Sequence, residues 1–221
     1  MSRGRSVFLF LMVSLVFALP ALLAVLLTDQ LDLHSAINRY HAGWADRFFR
    51  FITHWADGLV PTAVALLFLF FGTLRSFMMM GLSCGLSAIV AQLLKRQVFD
   101  HVHRPFMFRE QLNDMHWVQG VELHHHFSFP SGHSTAAFSM CLALAVIAAR
   151  PRLAVLLAVA ASLMAFSRVY LSQHFTEDIL AGAAVGSATA VLIWRWLYVG
   201  KFAERPWLDR RVIRSTSTML P

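Results

Sequence analysis

Six stretches of this chain carry so little charge and so many aliphatic and aromatic residues that water is the wrong solvent for them. They run from 7 to 28, 59 to 73, 77 to 94, 131 to 149, 153 to 171 and 179 to 199. A bilayer core takes about 20 apolar residues per helix, a few fewer where neighbours bury the ends. Backbone inside lipid must also satisfy its own hydrogen bonds, which leaves the helix as the natural solution for segments of this length. The pattern therefore predicts an all-α fold, a six-helix transmembrane bundle in which the second span is the shortest. Composition agrees: 57% of residues are hydrophobic and 14% charged, where soluble domains carry about a quarter charged. With no Gly/Ser/Pro-rich linker, low-complexity run or internal repeat, the sequence reads as one domain over 1–221. Pro20 predicts a kink in the first helix, and Pro61 suits the opening turn of the second. The first apolar run exceeds the roughly 7–15 residues of a signal-sequence core, so it is read as a retained span.

The formal charge of +7 raises nucleic acid as a partner. The cations flank apolar segments instead of forming a basic stripe, which fits membrane spans and argues against nucleic acid. With the N-terminus inside, eleven Lys and Arg residues fall on the inner side, among them Arg75, Arg195, Lys201 and Arg205 to Arg214, against eight outside. Four of those eight (Lys95, Arg96, Arg104 and Arg168) cluster with other polar residues, which sharpens the bias in the direction of the positive-inside rule. All eleven histidines and every acid except Glu204 and Asp209 fall on the outer side. Cys84 and Cys141 lie inside apolar stretches and read as small core residues.

Two outer segments are long enough to have structure. Between Asp32 and Asp57 the residues Ile37, Tyr40, Trp44, Phe48, Phe51 and Trp55 recur at steps of three or four, predicting an amphipathic interfacial helix with its aromatic face toward the membrane. A long outer loop, 106–129, joins the third and fourth spans and is rich in His and aromatic residues, as a roof over a site at the membrane surface would be. His101, His103 and His124 to His126 offer imidazoles for zinc, although their spacing matches no closed structural site.

Charges at a membrane edge are costly and face a partner or a water-filled cavity. Here they gather at the outer ends of three helices: Lys95, Arg96 and Arg104 after the third, Pro130-Ser131-Gly132-His133 opening the fourth, and Ser167-Arg168 closing the fifth. His174 and Asp178 lead into the sixth. An up-and-down bundle brings these ends together.

Pro130-Ser131-Gly132-His133, together with Ser167-Arg168, five residues, His174, three residues and Asp178, resembles the second and third signatures of the type 2 phosphatidic acid phosphatase superfamily. The first signature of that family is Lys, six residues, Arg-Pro. This chain has Arg104-Pro105, but Gln97 stands seven before Arg104, with Arg96 and Lys95 one and two positions too early; Lys95, at the helix end, is the favoured first cation. The resemblance implies a bacterial inner-membrane lipid phosphatase that needs no metal or other cofactor and faces the periplasm. It makes His174 the nucleophile, Asp178 its orienting carboxylate and His133 the acid and base, with Lys95, Arg104, Ser131, Gly132 and Arg168 binding phosphate.

Elementary chemistry agrees with those roles. Phosphoryl transfer is largely positioning and charge stabilisation, and arginine offers a planar fork to two phosphate oxygens. A helix start opened by Ser and Gly supplies free amides and room for an anion. A histidine nucleophile must be neutral at the attacking nitrogen, which a carboxylate on the other nitrogen enforces. The expected partners are a lipid phosphate and the bilayer. Candidate lipids are undecaprenyl diphosphate, lipid A, phosphatidylglycerol phosphate and phosphatidic acid. The vanadium-dependent haloperoxidases share a similar anion site but are soluble, and a non-catalytic transporter or binding protein with a relic site is the remaining alternative.

Overall fold

A computed structural model describes residues 2–112 and 114–211; Arg214 of the expected basic tail lies outside them. Eight helices carry the fold: α1 (Ser2–Leu27), α2 (Gln30–Asn38), α3 (Gly43–Thr53), α4 (Leu59–Phe71), α5 (Leu74–Leu93), α6 (Gly132–Ala148), α7 (Pro151–Tyr170) and α8 (Thr176–Tyr198). Each expected span has a helix. Local chemistry sets the boundaries. Gly72 ends α4, and the Thr73 hydroxyl caps α5 by accepting from the Ser76 amide at 3.2 Å. Pro151 opens α7 at a position where its missing N–H costs nothing. α1 continues through Pro20 as one helix.

Four helices are long and apolar enough to cross a membrane: α1, α5 with its terminal turn, α7 and α8. α3 and its short extension form with α4 a pair bent by 47°, which counts as a fifth span if it is one crossing. α6, at 17 residues, is too short by that measure, and its surroundings explain why it is apolar all the same. It packs against α1, α5, α7 and α8, so it is wrapped by helices, and such a helix is hydrophobic all round. Phe138, Leu142, Ala143, Ala145 and Val146 are buried there against Phe10, Met79, Met80 and the alanine row Ala154, Ala158, Ala161 and Ala165 of α7.

α6 and α8 meet backbone to backbone. A Cβ at Gly182 would lie 2.4 Å from the Ser131 carbonyl oxygen, and one at Gly186 would lie 2.4 Å from that of Thr135. Two glycines four apart thus let the α8 backbone touch the start of α6, as small-residue pairs do in membranes. Sequence reading passed over this pair, which fixes the helix start that carries Ser131 and His133.

The segment expected as one amphipathic helix is two. α2 ends at Asn38 and α3 begins at Gly43. The break is held by tertiary bonds: Asn38 exchanges two with the backbone of His116 (2.9 and 2.7 Å), and the Ala42 amide donates to the Tyr170 hydroxyl at 3.3 Å. α3 buries Ala45, Phe49 and Thr53 and exposes Trp44 and Phe51.

At the end remote from the histidines, the chain after α8 folds back in two short turns, Lys201–Glu204 and Pro206–Asp209. Arg75 of α5 clamps it: Nε and Nη2 donate to the two Asp209 carboxylate oxygens at 2.8 Å, Nη2 to Ala203 O at 2.8 Å, and Nη1 to Leu197 O.

Candidate active site

The expected site residues converge at one end of the bundle, and the turn between α7 and α8 organises them. That turn is tight. The Arg168 carbonyl accepts from both the Gln173 and His174 amides (2.8 and 3.2 Å), and Ser172 sits at a φ of 52°. His174 is thereby folded back so that its ring reaches Asp178, although α8 starts only at Thr176. Nδ1 of His174 lies 3.3 Å from Asp178 Oδ2 and 3.3 Å from the Ser128 hydroxyl. Ser128 itself donates to Asp178 Oδ2 at 2.5 Å, and the Phe175 amide donates to the same oxygen at 2.9 Å.

This geometry assigns the tautomer. The Ser128 proton is committed to Asp178, so both neighbours of Nδ1 can only accept from it. Nδ1 carries the proton and Nε2 keeps its lone pair. His174 is 1% exposed. Burial, reinforced by the positive charges of Arg104, Arg168 and Lys95, holds its pKa well below the ordinary histidine value, so the ring is neutral.

Three cations surround this pair. Arg168, on the last turn of α7, is buried. Its Nη1 donates to Thr53 Oγ1 at 2.8 Å and its Nη2 to Gln173 Oε1 at 3.3 Å, while Nε has no partner among the described residues. Arg104, in the loop after α5, donates from Nε to His126 O (3.0 Å), from Nη1 to Gln173 O and Oε1 (both 3.3 Å) and from Nη2 to Phe127 O (3.5 Å). Lys95 is buried and within electrostatic reach of Arg104, Arg168 and Asp178, whereas its neighbour Arg96 is exposed. Lys95 continues at a step of four the buried row Ser83, Ser87 and Ala91 of α5, so it lies inward although its spacing from Arg104 departs from the signature, and a π turn over Leu94–Val98 then ends the helix.

Ser131 is the N-cap of α6. Its hydroxyl accepts from the Ser134 amide at 3.4 Å and its own amide donates to the Asp178 carbonyl at 3.0 Å, tying the starts of α6 and α8 together. A Cβ at Gly132 would meet nothing within 4 Å, so the helix start is open to close approach there. His133, half-buried on the first turn, feels the charges of Arg168, His174, Arg104 and Lys95.

Three residues of this assembly were not found from sequence. Ser128 stands just before the second signature and Gln173 fills an unspecified position within the third, and being polar at such a place was their only signal. Thr53 lies 115 positions from Arg168 and gave none. The outer loop lies over the site as expected of a roof: Glu122 O accepts from Gln173 Nε2 at 2.8 Å, and the Phe108 ring packs 6.0 Å from that of Phe175. Of the loop histidines, His103 and His126 approach through Nδ1 atoms 3.2 Å apart. Among the described residues no three His, Cys, Asp or Glu side chains are arranged to hold a metal ion.

Comparison with known proteins adds an independent line. The PAP2 superfamily profile matches residues 76–201, from the first turn of α5 to just past α8. A lipid A 1-phosphatase from Rhizobium johnstonii is 32% identical over 138 residues, 58% of this chain and 53% of the relative; the chain thus spans about half the length of the relative it matches. Two crystal structures share the fold. LpxE of Aquifex aeolicus aligns at a TM-score of 0.64 and 24% identity, covering 75% of this chain and 94% of its own. The first transmembrane PAP2 type phosphatidylglycerolphosphate phosphatase from Bacillus subtilis aligns at 0.62 and 23%, covering 90% and 98%. Apolar helices of spanning length, the gathered signature residues and a profile match over more than half its length together make this chain an integral membrane protein that belongs to the PAP2 superfamily.

Proposed function

We propose that this protein is a lipid phosphatase that hydrolyses a lipid phosphate or diphosphate through a phosphohistidine on His174. The observation that carries the reading is the pairing of a buried, neutral His174, its Nδ1 held by Asp178 and Ser128, with three cations none of which is ion-paired to a carboxylate among the described residues. In the first step Nε2 attacks phosphorus, the bond from phosphorus to the leaving oxygen breaks, and His133 gives that oxygen its proton. Asp178 stabilises the imidazolium that develops. In the second step His133 takes a proton from water, the hydroxide attacks phosphorus, and the phosphorus–nitrogen bond breaks to free phosphate. Arg104, Arg168 and Lys95 hold the equatorial oxygens throughout, aided by the α6 start at Ser131 and Gly132.

The site faces the periplasm in this reading, with six spans, the N-terminus inside and the basic tail against anionic lipid of the inner leaflet. Residues 1–221 act as one domain. The bent α3–α4 pair and the wrapped α6 supply the fifth and sixth crossings, and the exposed aromatics of α3 rest at the membrane interface. Lipid A and phosphatidylglycerol phosphate head the substrate candidates, because they are what the relative and one structural neighbour are named for. Undecaprenyl diphosphate and phosphatidic acid complete the panel.

The test is phosphate release by the purified protein in detergent, with chelator present, on those four lipids. Release from one lipid, together with an acid-labile phosphoprotein after quench, is the expected result; His174→Ala and His133→Ala abolish turnover while the protein still inserts. Full activity in either variant overturns the mechanism, and activity abolished by chelator overturns metal independence.

A further inference from the structure

Arg104 and Arg168 share one acceptor, and it stands next to the proposed nucleophile. Gln173 Oε1 accepts from Arg104 Nη1 and Arg168 Nη2, both at 3.3 Å, and its main-chain oxygen accepts from Arg104 Nη1 at 3.3 Å. Its Nε2 donates to Glu122 O at 2.8 Å. The side chain is buried, at 2% exposure, so the carboxamide is a fixed part of the site. No signature residue occupies this position.

We propose that Gln173 is a positioning residue that holds the two arginine forks in register and sets how tightly they take up a phosphate group, by offering them a neutral acceptor that phosphate outcompetes. The inference rests on the reading of this site as a phosphate site. Two guanidinium groups brought together repel, and a shared oxygen between them orders both without cancelling either charge. Bonds to that oxygen are long. Charge-assisted bonds to a phosphate oxygen run to about 2.7–2.9 Å and are roughly twice as strong as neutral ones, so exchanging the amide for phosphate is downhill. A carboxylate in the same place would hold the forks at full charge-assisted strength and compete with the substrate.

The Nε2 bond gives the residue a second grip. With Glu122 O on Gln173, and His126 O and Phe127 O on Arg104, the roof loop is fastened both to one of the forks that receive the phosphate and to the residue that orders them. Ordering the forks and seating the roof are therefore one event.

The test uses the full chain in detergent and orthovanadate as the phosphate mimic, its affinity read by calorimetry. Wild type binds it and Arg168→Ala does not. Gln173→Glu, nearly the same shape, weakens binding about ten- to a hundredfold, the worth of one hydrogen bond to a charged group. Gln173→Leu weakens it by less and speeds amide exchange across 122–127. Thermal unfolding of each variant separates loss of fold from loss of affinity; should Gln173→Glu not fold, Gln173→Asn carries the test with a several-fold loss. Wild-type affinity in Gln173→Glu, or in Gln173→Asn where that stands in, overturns this inference alone. Orthovanadate binding by Arg168→Ala, or none by wild type, overturns the phosphate-site reading and this inference with it.

Discussion

Arg75 and Arg168 are both drawn out of water at opposite ends of the same bundle, and they are treated in opposite ways. Arg75 spends its donors on the Asp209 carboxylate and two backbone carbonyls. In return its guanidinium holds the Asp209 carboxyl below the usual carboxylate range. Arg168 meets a threonine hydroxyl and an amide oxygen, and one of its N–H groups meets nothing. Among the described residues neither it nor Arg104 has a carboxylate within ion-pairing distance. Of the acids nearby, Asp178 turns only Oδ2 to partners, which are Ser128, His174 and Phe175, and Asp57 acts on Arg168 through its field without a bond. A buried cation without an anion is expensive, so a cluster of them persists only where an anion arrives from outside. The far end is neutralised to hold a fold, and the site end is left uncancelled to receive a ligand.

The most direct way to break that contrast is to remove each arginine. Arg168→Ala is expected to lower kcat/KM by roughly two to three orders of magnitude, the scale of losing one preorganised charge-stabilising donor, with thermal stability kept or raised. Arg75→Ala is expected to do the reverse. Activity per folded molecule stays, while the orphaned Leu197 and Ala203 carbonyls cost about 1–3 kcal/mol. Unfolding midpoints and steady-state kinetics on the two proteins decide it, and a stability loss in Arg168→Ala with activity intact would reverse the assignment.

Backbone approaches backbone closely at the site end and not along the whole bundle. At Gly182 an added methyl collides with the Ser131 carbonyl, whereas at Gly85, on α5, it meets nothing within 4 Å. Gly182→Ala is expected to cost about 1–3 kcal/mol through overpacking and to lower activity as well, because the α6 start shifts away from the Asp178 backbone it is bonded to. Gly85→Ala leaves both unchanged. Equal behaviour of the two variants would show that the α6–α8 contact does not position the site.

Acid sharpens the comparison further. His34 of α2 lies beneath the turn between α7 and α8, its Nε2 3.2 Å from the Ser172 hydroxyl and its ring 5.3 Å from that of Phe175. Burial pushes its pKa down to about 4, against a smaller upward pull from Asp178. A histidine depressed in the fold binds its proton more readily unfolded. Stability is therefore complete above about pH 6.5 and is lost as pH falls from there toward 4, by about 2 kcal/mol at pH 5. His174, also depressed, adds loss of the same sign. His34→Phe is expected to remove the first share, so that its midpoint falls less between pH 7 and 5 than that of wild type. A wild-type midpoint flat over that interval would contradict the burial of both rings.

The ease of reading this protein from sequence divides along the same line. Helix positions were legible because an apolar run and its punctuation are local: the expected spans 59–73 and 131–149 appear as Leu59–Phe71 and Gly132–Ala148. The break between α2 and α3 was not, since the aromatic spacing runs through it and only the distant partners His116 and Tyr170 hold it. In the site, the eight expected residues come together because each sits in or beside a signature at a helix end. Ser128, Gln173 and Thr53 escaped because they serve by what they touch across the fold, and spacing along the chain carries no trace of that.

Lys95 and Arg96 put that division to a test, being adjacent in sequence and opposite in setting. One is buried among Arg104, Arg168 and Asp178, and the other is exposed. The register of α5, whose buried row Ser83, Ser87 and Ala91 runs on to Lys95, decides which of them reaches the site, not the residue type. Lys95→Met is expected to raise KM about tenfold, the loss of one point charge on the phosphate, with kcat changed less because the two arginine forks still orient the group. Arg96→Met is expected to leave both constants within about twofold, as an exposed and solvent-screened charge does. Steady-state kinetics on the pair read this directly. A larger effect at Arg96 would mean that the end of α5 turns when substrate is bound, and would move the first cation of the site one residue along the chain.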